Sequence, residues 1–210
     1  MLSESSIEIL GSNVRIDDSN HIIPAGFLRS PLPADIKVII QAFHERAISG
    51  QGNEFAQTTL DIKLLCGDGT PFFARKLDNS NSEYAPGEHE EFFFECSTCE
   101  LLEFADKEIC SNPGEYIFIS GYFMDSIDAE NIDGGIVMRV EIDEVFFGES
   151  TTVDCDAIFI EFDVNPEAFK IFVQQLRESI PASVLPLAEK DWKDEQERRL
   201  KASQERTVRM

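Results

Sequence analysis

The chain has 210 residues, a net charge of -22 and 42% hydrophobic residues, with 17 Phe among them. That apolar and aromatic content excludes a disordered acidic polymer and suffices for one buried core plus a small appendage. The charge disfavours nucleic-acid backbones and anionic membranes as direct partners and favours basic proteins.

The charge is uneven along the chain. Residues 1–188 carry 34 Asp and Glu against 11 Lys and Arg, whereas residues 189–210 carry six against seven. No stretch approaches the roughly 20 apolar residues needed to cross a bilayer, and Met1–Ser6 lacks a basic region followed by an apolar run. The five cysteines have no regular spacing, which argues against a secreted disulfide framework. The expectation is a cytoplasmic protein with reduced thiols.

In chain order, residues 1–35 read as an extended N-terminal arm or edge strands. Ile7, Ile9, Val14 and Ile16 are spaced for pairing, and Pro24, Pro31 and Pro33 break anything longer. Residues 36–164 read as one antiparallel β domain. Ile36 to Ile48 and Phe55 to Cys66 are strands joined by the hairpin-like Ser49-Gly50-Gln51-Gly52-Asn53. Gly67-Asp68-Gly69-Thr70-Pro71 is a turn, and Asp78 to Gly87 a polar loop. Further strands are predicted over Glu91 to Glu95, Tyr116 to Phe123, Ile136 to Phe147 and Ala157 to Val164. No internal repeat of fixed period is visible. Many strands at short spacing predict a mainly β (α+β) fold, an antiparallel β-sandwich or barrel-like sheet.

Two helices are predicted at the C-terminus. Asn165-Pro166-Glu167 combines a capping side chain, a proline at the first helical position and an acid in the first turn. Phe169, Phe172, Val173, Leu176 and Ile180 then form one apolar stripe before Pro181, so residues 165–181 are expected to dock on the β domain. Residues 187–210 are good helix formers with few large apolar residues, Trp192 and Leu200 among them, and predict an exposed polar helix.

Three local motifs bear on chemistry. Cys96-Ser97-Thr98-Cys99 with Cys110 supplies three thiolates for a tetrahedral zinc, the fourth ligand coming from His89, Cys66 or Cys155. A redox role is disfavoured because Glu95 and Glu100 would raise the thiol pKa values, and buried, metal-free cysteines are the plainer alternative. The acidic run Asp125 to Gly135 has the oxygen ligands and glycines of a weak calcium loop but not the EF-hand spacing, and it equally suits a hairpin connection. His21, His44 and His89 sit in no catalytic signature, and no glycine-rich phosphate loop occurs. No constellation names a reaction.

The acids themselves are the remaining signal. Ser120 to Asp163 holds 12 acids and one base, Arg139. Like charges opposed across strands destabilise a sheet, which calls for a basic counter-surface or a high-salt habitat. A solvated face that keeps the protein soluble is the plainer alternative. The counter-surface is expected over Asp125, Asp128, Glu130, Asp133, Glu141, Asp143 and Glu144, with Trp192 as a further contact. The function implied is a non-catalytic acidic interaction module docking a basic protein, its sharpest form a nucleic-acid-mimicking inhibitor of a nucleic-acid-binding protein. Competing readings are an assembly subunit or homo-oligomer built through the N-terminal arm and C-terminal helices, and a zinc-stapled regulatory or enzymatic domain.

Overall fold

A computed structural model describes residues 6–17, 28–74, 91–121, 125–145 and 156–208. Eight strands form one antiparallel sheet: β1 (Ile7–Asp17), β2 (Asp35–Ile48), β3 (Glu54–Cys66), β4 (Glu91–Ser97), β5 (Tyr116–Ser120), β6 (Ser126–Ile132), β7 (Gly135–Val145) and β8 (Asp156–Val164). Three helices accompany them: α1 (Thr98–Asp106), α2 (Pro166–Ser179) and α3 (Leu185–Val208). The strand order is β4-β3-β2-β1-β8-β7-β6-β5, and the sheet curls into a nearly closed barrel. The expected mainly β architecture with two C-terminal helices is therefore present. No helix among the described residues is long and apolar enough to cross a membrane.

Period-2 patterning builds the core. Ile36, Val38 and Ile40 on β2, Leu60, Ile62 and Leu64 on β3, and Ile158, Ile160 and Phe162 on β8 are all fully buried on the inner face. Their alternate neighbours Lys37, Lys63 and Glu161 lie on the outer face, as strict alternation along a pleated strand requires.

The first strand corrects the expectation of an arm or edge. β1 pairs with β2 on one side and β8 on the other, and buries Ile7 and Ile9. It is the central seam that joins two four-stranded meanders. A bulge between Ser12 and Arg15 carries Asn13 at φ 52, and Asn13 Nδ2 donates to Asp163 Oδ2 at 2.8 Å. Asn tolerates that left-handed conformation better than most residues do.

The chain runs four strands and a helix twice over, α1 following β4 and α2 following β8. At each junction a glycine backbone lies against a phenylalanine four residues before the helix. A Cβ on Gly11 would lie 2.1 Å from Phe162 Cδ2, and one on Gly121 would lie 2.8 Å from Phe94 Cβ. The β8–β1 junction is zipped by backbone pairing, while β4 and β5 are the two ends of the sheet. Helix α1 packs on β3, β4 and β5 and so fills the open seam. Unequal loops hide this correspondence from any search for a fixed period.

Helix α2 begins as predicted: Asn165 Oδ1 accepts from the Glu167 and Ala168 amides at 2.9 and 3.3 Å. Phe169, Phe172 and Leu176 are buried. Helix α3 is held at its start by Val184 and Ala188, which are buried, and becomes exposed from Gln196 onward over the residues whose side chains are described.

Candidate partner-binding face

The acidic run Asp125 to Gly135 is a strand and a tight turn, not a loop. β6 pairs with β5 and β7, and Asp133 (φ 52) with Gly134 (φ 89) makes the two-residue hairpin turn. Asn131 points inward and is buried, donating to the Ile109 carbonyl at 2.8 Å and accepting from the Gly134 amide at 3.0 Å. Ser126, Asp128 and Glu130 share the outer face, and among the described residues no group of three or more acids is arranged to hold an ion.

On that outer face the charges alternate in sign instead of crowding. The register places Asp128 opposite Arg139, Arg139 opposite Glu161, and Glu161 opposite Arg15, a row crossing β6, β7, β8 and β1. Arg139 Nε donates to Glu161 Oε1 at 3.0 Å, and its guanidinium lies 5.9 Å from the Phe159 ring centroid. Arg15 donates to Asp163 Oδ1 at 2.9 Å and lies 3.7 Å from Glu161 Oε2. The hydrogen bond from Asn13, then the Arg15 bond, hold the Asp163 carboxyl below its usual range. The bond to Glu161 raises the Arg139 pKa. The single base of the acidic stretch thus sits between Asp128 and Glu161.

Arg139→Met should accordingly cost about 1 to 2 kcal/mol of unfolding free energy, between the values for exposed and buried ion pairs. Adding Glu161→Gln should return part of it in a urea titration. A neutral single variant would mean that the row is ornamental.

This placement revises several expected contact residues. Asp125 is 4% exposed and Asp128 8%, so neither is presented to a partner. Burial raises the Asp128 pKa, opposed by hydrogen bonds from Tyr116 and Ser126 and by Arg139. Glu141 is half-buried and accepts from Ser126 Oγ at 3.0 Å. Asp143 and Glu144 fall on β7, but their side chains lie outside the described residues. Glu130 and Asp133 alone of this set are described as exposed. Trp192 is half-buried on α3, its Nε1 enclosed without an acceptor among the described residues, so it is packed instead of offered.

Three exposed apolar side chains escaped the sequence reading. Tyr116 (43% exposed), Phe118 (53%) and Ile132 (49%) all lie on the outer face of the β5–β6 hairpin. The Tyr116 and Phe118 ring centroids are 5.9 Å apart. In Tyr116-Ile117-Phe118-Ile119 both faces are apolar, so alternation cannot tell outside from inside. Burial pushes the Tyr116 hydroxyl up to about 12, helped by its hydrogen bond to Asp128.

The free edge of β5 is occupied. Lys107 Nζ donates to the Tyr116 carbonyl at 3.0 Å, and the Ser120 amide donates to Glu100 Oε2 at 3.4 Å. A cavity of about 60 Å³ remains between them, lined by Glu100, Phe104, Phe118 and Arg199 among others. Burial raises the Glu100 pKa despite the Ser120 amide and Arg199.

Cys66, Cys96, Cys99 and Cys110 form no metal centre with other described residues. Among the described residues no group of three or more His, Cys, Asp or Glu side chains is arranged to hold a metal. Cys96 is buried in the core, Cys99 contacts Ser97 Oγ at 3.1 Å, and Cys110 Sγ reaches the Pro166 carbonyl at 3.7 Å, at the start of α2. Burial raises the pKa of all three thiols, which disfavours thiolate chemistry. His21, His89 and Cys155 lie outside the described residues.

His44 makes a Ser–His contact that superficially invites a nucleophile reading. Its Nε2 is 2.9 Å from Ser179 Oγ and its Nδ1 2.9 Å from Thr58 Oγ1, which in turn meets Thr98 Oγ1 at 2.8 Å. Ser179 Oγ, however, donates to the Leu176 carbonyl at 2.6 Å. It must therefore accept from Nε2–H, and His44 is not placed to take its proton. The chain of hydroxyls clamps α2 to β2, β3 and α1. Comparison with protein-family models, curated proteins and solved structures found no match to the chain.

Proposed function

We propose that this protein is a non-catalytic acidic interaction module that docks a basic surface of another protein. The observation that supports this is the fate of its cations. Arg15 and Arg139 are spent on the carboxylate row, Arg177 on Asp106, and Arg199 on both oxygens of Glu103 at 2.9 and 3.0 Å. Arg29 donates to the Pro71 carbonyl and Arg46 to the Ser183 carbonyl, both at 2.7 Å, and Lys107 to Tyr116. With these seven bases engaged internally and a net charge of -22, the field met by an approaching protein is negative. Carboxylates in place of phosphates would suit a nucleic-acid-binding partner, and the contact would then share the salt sensitivity of nucleic-acid binding.

Capture from the source cell's lysate at about 50 mM and about 300 mM salt tests the reading, with eluted proteins identified by mass spectrometry. A basic partner retained only at the lower salt is the expected outcome. Recovery of salt-insensitive partners alone would replace electrostatic docking with another mode of assembly.

A further inference from the structure

The β5–β6 hairpin combines the two features an arginine-bearing partner needs, and the inference that follows rests on the acidic-docking reading above. Tyr116 stands directly opposite Glu130, and Phe118 opposite Asp128, in the non-hydrogen-bonded pairs where side chains approach most closely. That phase is fixed by the flanking backbone bonds, Gly121 N–H to the Asp125 carbonyl and Asn131 N–H to the Glu115 carbonyl. Tyr116 also bonds to Asp128. Exposed Glu130 stands beside that ring, and exposed Asp133 marks the turn at the end of the strand.

We propose that this ledge, Tyr116, Phe118 and Glu130, seats an arginine side chain of the basic partner, with Asp133 at the adjoining turn adding to the negative field. A planar guanidinium stacks on aromatic faces and forks onto a carboxylate, whereas an ammonium does neither as well. The described cations near the ledge do not compete for it, Arg199 beside Phe118 being bonded to Glu103 and Glu195. Arg139 is committed to Glu161, and Lys107 faces the seam, bonded to the Tyr116 carbonyl. A symmetric contact with a second copy would bring the same carboxylates against each other. Strand addition is also blocked, since Lys107 and Glu100 occupy the ends of the β5 edge. Recognition therefore runs through the outer side chains.

The test measures binding of fluorescein-labelled nona-arginine and nona-lysine to the full chain by anisotropy at about 50 mM salt. Four proteins are compared: the wild type, Tyr116→Ala/Phe118→Ala, Glu130→Gln/Asp133→Asn, and Glu45→Gln/Glu54→Gln as a control pair of exposed acids on the β2–β3 hairpin. Removing the rings should weaken nona-arginine about tenfold and abolish a wild-type preference for arginine over lysine of about threefold or more. The Glu130/Asp133 pair should weaken both peptides, and the control should stay within about twofold of wild type. Because Tyr116→Ala also strips a bond from Asp128, Phe118→Ala alone serves as the second variant. It should lose affinity for nona-arginine with unchanged thermal unfolding. If the wild type binds with the expected salt sensitivity but the ledge variants match it, the ledge is wrong and the acidic-docking reading stands. If the wild type binds neither peptide, both fall.

Discussion

Replacing Gly11 by valine is expected to destabilise the protein by about 3 kcal/mol or more. The reason is contact, not conformational freedom. A Cβ at position 11 would lie 2.1 Å from Cδ2 and 2.7 Å from Cγ of Phe162, distances no pair of carbon atoms sustains. Phe162 is itself fully buried, so its ring has no open space to turn into. The strain falls on the one junction that joins the two halves of the sheet, because Gly11 lies on β1 between β2 and β8. Alanine already introduces the offending atom, and about 2 kcal/mol is expected for Gly11→Ala. Shrinking the opposing ring should help: Phe162→Leu, costly alone, should recover part of the Gly11→Ala loss, with a coupling of at least about 1 kcal/mol in a double-mutant cycle. Urea unfolding of the four proteins measures it. A Gly11→Ala cost below about 0.5 kcal/mol would show that Phe162 yields easily and that the contact is not what demands glycine.

The second large effect is a dependence of stability on pH that centres on His44. Burial drives its pKa down from 6.5 to about 4, so the folded protein holds the ring neutral. The unfolded chain binds that proton more readily between those two values. Stability from this group is therefore complete above about pH 6.5 and declines as pH falls toward 4. Between about pH 7 and about pH 5 the loss is about 1 to 2 kcal/mol, the lower end allowing for solvent that reaches the ring. The hydroxyl chain gives the cost a structural form. A proton on Nδ1 would meet the hydrogen that Thr58 now donates there, and Thr58 and Thr98 are both fully buried. Carboxylates also titrate in this region, so the measurement is the difference between wild type and His44→Gln. That difference should narrow by the stated amount on acidification. A constant difference across the range would mean that the ring takes up its proton as readily in the fold as in the unfolded chain.

Much of the fold was legible because burial on one side of a strand or helix writes its period into neighbouring residues. Ile36, Val38 and Ile40 opposite Lys37 and Ile39, and the stripe from Phe169 to Leu176 behind the Asn165 cap, carry their assignment locally. β6 does not. Its inner position Asn131 is polar and its outer positions are Asp128 and Glu130, so alone it reads as an acidic loop, and only flanking β5 and β7 make it a strand. The placement of β1 in the middle of the sheet is likewise absent from its own residues, because a strand with apolar Ile7 and Ile9 reads the same at an edge or at a centre.

The sign and size of the charge, the abundance of core-forming aromatics and the starts and stops of most elements were determined by the amino-acid order alone, since each depends on composition or on neighbours a few residues apart. Tertiary structure decided which acids are exposed. Pairing Asp128 with Arg139 and Glu161 with Arg15 brings together residues of different strands; Asp125, Asp128 and Glu141 are drawn into the fold, while Glu130, opposite Tyr116, and Asp133 at the turn stay exposed. It also separated Cys110 from Cys96 and Cys99, because α1 and its following turn carry Cys110 to the start of α2. Cross-strand register and helix docking are set by the whole core, and no local pattern encodes them.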